Sequence, residues 1–238
     1  MHPFDLEAVN SLVSAATVQK DEFETTTAFA ARQTAAATRL PPTIVVRSIA
    51  NHKYLQDDAD AGRLNVSAYF FRNLNTNYVS VFGGHGVSTD GRVIYGTTYD
   101  NIDIVIAETE RTTGRYNGSN AYGASVEVIK IQRDTYAIWD RKARSQEPLF
   151  PDQHSSIEAQ LGSISTTSEV AKSLKSMARA AVVFAPKPPF FAYGNRKWEP
   201  RFDRPTEVNN DIFVIVADIQ CALLLDHKDR VWAAWATH

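Results

Sequence analysis

The chain is poor in the residues that would betray a function. It has one cysteine, Cys221, in 238 residues, which excludes an internal disulfide and any cysteine-based zinc site. A chain without disulfides suits either a reducing or an oxidising compartment, so the cysteine count does not locate it. Strong charge of either sign is lacking as well. The formal net charge is −2, with −3 over residues 1–119 and +1 over 120–238, far from the basic excess that tracking phosphates demands. No apolar run reaches the ~20 residues that span a bilayer. The longest, Ile212 to Leu225, is broken by Asp218 and Gln220. The opening Met1-His2-Pro3-Phe4-Asp5 shows no basic region followed by an apolar stretch. The expected location is therefore the periplasm if a leader has been removed, and the cytoplasm otherwise.

Catalytic signatures are also missing. The six histidines (His2, His52, His85, His154, His227, His238) form no His-x-His, His-x-x-x-His or Glu-x-x-His pattern, and no Gly-x-Ser-x-Gly elbow occurs. Asp57-Asp58-x-Asp60-x-Gly62 resembles the start of a calcium loop, but with Gly62 at position six the ligand positions fall on Ala59, Ala61 and Ala68. We expect a solvated turn there, no metal and no cofactor.

What is present is an orderly sequence of elements. Leu6, Val9, Leu12, Val13 and Ala16 follow the spacing of one helix face. Asp21-x-x-Glu24 reads as a capping box opening an alanine-rich helix to about Ala37, which Pro41-Pro42 ends. From Thr43 the pattern turns strand-like: Ile44–Val46, Leu64–Phe71, Tyr78–Phe82, Arg92–Tyr95, Ile102–Ala107 and Ala124–Trp139. Asp60-Ala61-Gly62, Asp90-Gly91 and Asn117-Gly118 separate them as turns, which predicts an antiparallel meander. Ser155-x-x-Glu158 and Thr166-x-x-Glu169 are two more capping boxes, with Gly162 as a stop between them. The second box predicts a helix over about 167–181, with Val170, Leu174, Met177 and Ala181 on one face. Ile212–Leu225 and Val231–Ala236 predict a closing hairpin that turns at Asp226–Asp229. The longer strand is apolar on both alternations, so both its faces should be covered. The fold class expected is α+β: one domain over 1–238, soluble, with a curved antiparallel sheet, N-terminal helices and a mid-chain helix.

Two stretches carry candidate chemistry. Gly83-Gly84-His85-Gly86 would let a ligand approach, with His85 as general base of a hydrolase. The alternative is a glycine bulge twisting an edge strand. Residues 186–205 hold five prolines and read as a long extended loop, in which Phe190, Phe191, Tyr193, Trp198 and Phe202 alternate with Lys187, Arg196, Lys197, Arg201 and Arg204. Tyr193, Arg196, Lys197 and Trp198 are its candidate ligand-binding residues, since aromatic and basic side chains together suit stacking and anchoring. Such a loop can equally pack its aromatics onto the domain to become rigid. A non-catalytic interaction module with a protein or small-molecule partner is the leading expectation. The enzyme reading through His85 comes second, and nucleic-acid binding through 186–205 third, with nucleic acid not the expected partner.

Three segments carry a resemblance: Lys20-Asp21-Glu22-Phe23-Glu24-Thr25-Thr26 with Phe29 and Arg32; Tyr54–Asp60 leading to Leu64-Asn65-Val66; and Tyr116–Ala124 leading to Val126-Glu127-Val128. They resemble the Lys-Asp-Glu-Phe-Glu-Thr helix junction, the turn and the Gly-x-Asn-Ala-aromatic-Gly strand entry of a loosely defined group of uncharacterised bacterial proteins. The likeness covers about residues 20–130. It implies a shared fold and no known activity, and carries over no catalytic residue. Bacterial or phage origin is the expectation that follows.

Overall fold

In the computed structural model, residues 5–16, 18, 20–71, 87–89, 92–94, 104–119, 123–140 and 160–236 are described. Two helices open the chain, α1 (Leu6–Ala16) and α2 (Thr26–Ala37). Val9 and Ala16 of α1 are buried and Leu6 and Leu12 pack beside them, as the 3,4-spacing predicts. The Asp21–Glu24 turn exists but caps nothing. Asp21 Oδ1 accepts from the Phe23 amide at 2.9 Å, and Glu24 Oε2 accepts from the Asp21 amide at 3.3 Å. Helix α2 starts later, at Thr25, whose hydroxyl accepts from the Ala28 amide at 3.2 Å. Glu24 is instead tied to Arg32, about two helix turns on, at 2.7 Å.

The strands are β1 (Ile44–Ser48), β2 (Leu55–Asp58), β3 (Arg63–Ser67), β4 (Val87–Thr89), β5 (Arg92–Ile94), β6 (Ile104–Ser119), β7 (Ser125–Asp140), β8 (Gln160–Ser165), β9 (Arg179–Trp198), β10 (Thr206–Leu225) and β11 (Val231–Ala236). A third helix, α3 (Ser168–Met177), precedes β9. The large sheet runs β5-β4-β9-β10-β7-β6, with β1 also on β9 and β11 also on β10. It is curled and dominated by antiparallel pairs, with one parallel contact, β7 on β10. A small sheet, β2-β3-β8, lies apart from it. The fold is therefore α+β with a curved sheet, as the sequence predicts.

The predicted meander is corrected. Hairpins β2–β3, β4–β5 and β6–β7 are local, but β1 pairs with β9 across more than 130 residues, and β3 pairs with β8. Turn residues reveal hairpins and say nothing of such distant partners. Asn117-Gly118 is not a turn either. It continues β6 opposite Glu127 and Val126, and the chain re-enters β7 after Gly123, whose φ is +81°. Gly62, at φ +59°, does make the β2–β3 turn. Gly162 lies within β8. Helix α3 is capped by Thr167, not Thr166, and ends at Met177. Ala181, expected on its face, belongs to β9 and is fully buried there. Tyr78–Phe82 and Ser155–Glu158 lie outside the described residues.

The largest correction concerns 186–205. Residues up to Trp198 form the second half of β9 and pair with β10. Their prolines are absorbed by a bulge: Ala217 pairs with Pro186 and Ile215 with Phe191, so residues 187–190 stand opposite Val216 alone. Phe190 within it has φ +68° and is fully buried, a strained backbone held by its packing. Lys187 reaches the buried Asp218. Proline cannot donate to the ladder, and a bulge is where that loss costs least.

The closing hairpin forms as predicted. Val214, Val216 and Asp218 of β10 are buried on one face and Ile215, Ala217 and Ile219 on the other. The main core joins α1, β1, both sheets, α3 and the 3₁₀ turn Ala68–Phe71 around Phe70, Phe71 and Phe184.

Candidate polar platform on the long strands

Strands β9 and β10 have 20 residues each, about 65 Å at ~3.3 Å per residue. Beyond the core, their ends and β6–β7 carry polar side chains on both faces. On one face the register lays these out in rows. Arg111 stands opposite Gln132, which neighbours Asn209, which neighbours Lys197. The next row holds Thr109, Asp134, Asp211 and Asn195. The row toward the core holds Tyr136 and Phe213, stacked at 5.0 Å and 18°.

The two polar rows bond to one another. Gln132 Nε2 donates to Asp134 Oδ1 at 3.0 Å and to Asp211 Oδ2 at 2.7 Å. Asn209 Nδ2 donates to Gln132 Oε1 at 2.7 Å. Asn195 Nδ2 donates to Asn209 Oδ1 at 3.0 Å and Asp211 Oδ1 at 2.7 Å. Arg111 closes the edge on Asp134 Oδ2 at 2.8 Å. The Gln132 amide, followed by Arg111, outweighs partial burial and holds Asp134 below the usual carboxylate range, so it stays ionised at neutral pH. Further out, Tyr116 Oη donates to Glu207 at 2.9 Å, which raises the phenol pKa, and Lys130 lies 5.1 Å over the Tyr116 ring.

The opposite face is built differently. Thr135 and Asn210 are buried there and pair at 3.0 Å. Arg133 sits 5.6 Å over the Trp198 ring and pairs with Glu110 and Glu108.

Strand alternation divides the four residues named from the sequence. Positions 193 and 197 share the platform face with Asn195, and positions 196 and 198 fall on the other. Lys197 is exposed, while Trp198 is half-buried against Arg133. No sequence motif singles out the platform residues Gln132, Asp134, Asn195, Asn209 and Asp211. Their signal was the i, i+2 polar pairs Gln132-x-Asp134 and Asn209-x-Asp211, two strands whose pairing is nonlocal.

His85 lies outside the described residues. His52 Nε2 bonds the Ala178 carbonyl at 2.7 Å, tying the 3₁₀ turn His52–Tyr54 to the end of α3. The Cys221 thiol is half-buried, and burial pushes its pKa up, away from nucleophilic use. Among the described residues no group of three or more His, Cys, Asp or Glu side chains is placed to hold a metal, and no helix is long and apolar enough to cross a membrane. Compared with family models, with curated proteins and with solved structures, the chain matches none.

Proposed function

We propose that the chain is a non-catalytic binding module of bacterial or phage origin that presents the polar rows of β7, β9 and β10 to a protein or small-molecule partner. The observation that carries this is the mutual bonding of Gln132, Asp134, Asp211, Asn195 and Asn209 across three strands. Such a network fixes every rotamer before a partner arrives, which lowers the ordering cost of binding. A ligand with hydroxyl or amide groups can bond to this fixed polar array, while the Tyr136–Phe213 stack offers an adjoining apolar step. General acid–base work needs a group poised near neutral pH, and the lowered pKa of Asp134 points away from that role.

Phosphate tracking has little support on this surface: Arg111 meets Asp134, Lys130 approaches Glu207, and the carboxylates of Asp134 and Asp211 offset the exposed Lys197. The origin rests on the resemblance of residues 20–130 to bacterial proteins.

The test uses the immobilised full chain and native bacterial lysate, with Lys197→Glu plus Asn195→Ala as the variant. The expected outcome is a captured partner that the variant loses. Its melting temperature should fall by only about 2–4 °C, since roughly 1 kcal/mol of hydrogen bonding is removed. Equal capture by the variant refutes the platform as the binding surface.

A further inference from the structure

The polar platform continues a core face past the point where the core ends. Ile215, Ala217 and Ile219 of β10 belong to the main core, and Phe213, Asp211 and Asn209 follow on the same side by strand alternation. Across the strands one row runs from Arg111 through Gln132 and Asn209 to Lys197, about 14 Å at ~4.8 Å per strand. The row of Thr109, Asp134, Asp211 and Asn195 lies beside it, roughly 7 Å away. An area this wide suits a ligand whose polar groups recur along its length.

Within the rows the amide donors are consumed. Gln132 Nε2 serves Asp134 and Asp211, and Asn195 Nδ2 serves Asn209 and Asp211, so both amide hydrogens of each are engaged. One hydrogen of Asn209 goes to Gln132 Oε1. Asn195 Oδ1 takes part in none of these bonds, and the Asp134 side chain keeps 19% of its surface exposed. The middle of the platform therefore presents oxygen, and its ligand has to bring the donors. Charge is balanced as well. Asp134 and Asp211 stand against Arg111 and Lys197 at the two ends of one row, and further out Lys130 approaches Glu207. A balanced patch draws in neither a polyanion nor a polycation over distance. A phosphate chain brings acceptors without donors, the wrong complement to oxygen. Protein partners are gripped through aromatic or arginine anchors in desolvated pockets, whereas both of these rows are polar throughout.

Resting on the platform as the binding surface, we propose that its ligand is an uncharged carbohydrate chain. Sugar hydroxyls donate to Asp134 and Asn195 and accept from Arg111 and Lys197 at the two ends. A hydrogen bond to a carboxylate is about twice as strong as one between neutral groups, which makes Asp134 the anchoring acceptor. Successive rings repeat the donors along the rows, and the Tyr136–Phe213 stack borders them with an apolar step for the C–H face of a ring.

The probe is the glycan fraction of bacterial lysate, freed of protein by proteinase K and of nucleic acid by nuclease. It is passed over the immobilised full chain and over Asp134→Asn, before and after mild periodate, which cleaves vicinal diols. The expected result is binding by the native chain that periodate abolishes and that Asp134→Asn weakens about tenfold, the equivalent of one charge-assisted hydrogen bond. Binding should hold from about 0.05 to about 0.5 M salt, since an uncharged ligand leaves no ion pair to screen. The periodate and salt arms need no variant and stand even if Asp134→Asn folds poorly. Equal binding by a folded Asp134→Asn chain, binding that survives periodate, or a steep loss with salt overturns the proposal. So does failure to bind the fraction. If capture from whole lysate still depends on Asn195 and Lys197, the platform then stands as a site for another ligand; if that capture is absent too, platform and carbohydrate fall together.

Discussion

Asp229 sits where two opposed effects can be separated. It closes the β10–β11 turn with φ +61°, a conformation that costs most side chains about 1–2 kcal/mol. Its carboxylate holds the hairpin to β1 and β9. Arg47 Nε donates at 3.2 Å, the Arg47 terminal nitrogen binds the other oxygen, and Arg179 donates at 3.1 Å. Both guanidinium groups are about half exposed, so each pair is discounted to about 0.5–1 kcal/mol. Asp229→Asn keeps the tolerance for positive φ and loses the charge, which should cost about 1–2 kcal/mol. Asp229→Ala also takes on the full backbone strain and should cost about 2–3 kcal/mol. Asp229→Gly loses the clamp but relieves the strain, so it should be about 1 kcal/mol more stable than the alanine variant. Urea unfolding followed by tryptophan fluorescence measures all three. The Arg47 hydrogen bond, opposed by burial and aided by Arg179, lowers the Asp229 pKa in the folded state. A lowered folded value means that the stabilisation is present above the unfolded pKa of about 4 and is lost as pH falls below it. The gap between native and Asp229→Asn chains should therefore close in acid. Equal stability of the Gly and Ala variants would refute the strain argument. A gap that persists at the lowest pH at which the chain still folds would refute the ionic one.

Three other outcomes are expected. Phe184→Ala, at a fully buried site on β9, should cost about 3–5 kcal/mol in the same assay. Gly162→Ala places a Cβ 3.0 Å from Trp235 Nε1 and should cost about 1 kcal/mol with a change in tryptophan emission, whereas Gly114→Ala, with nothing within 4 Å, should leave emission unchanged. At Asp226, burial pushes the carboxyl up, but the Arg230 and Lys228 amides and the Arg230 guanidinium outweigh it and hold the pKa down to about 2. Asp226→Asn should therefore be destabilising at pH 7, with the difference fading from about pH 4 toward the folded value, as thermal melts across that range will show.

The fold's local pieces were legible because their causes are local. The 3,4-spacing of Leu6, Val9, Leu12 and Ala16 buries one face of α1, and the alternation-free run Ile212–Leu225 is buried on both sides as its composition requires. Capping was legible only to within a few residues, since Asp21 and Thr25, or Thr166 and Thr167, offer the same oxygen to the same kind of amide. Over 186–198 the sequence predicts a loop because proline breaks regular structure, whereas the sheet confines that cost to the four residues facing Val216.

By itself the sequence determined which residues are apolar, where turns and caps can form, and that no metal or nucleophile motif of known spacing is present. Only the tertiary structure decided which strand lies beside which. Backbone hydrogen bonds carry no record of sequence distance, so nothing in Gln132 or Asp134 announces Asn209, Asp211 or Asn195 as neighbours. For the same reason, only the pairing shows that β10 carries β7 along its first half and β11 along its second.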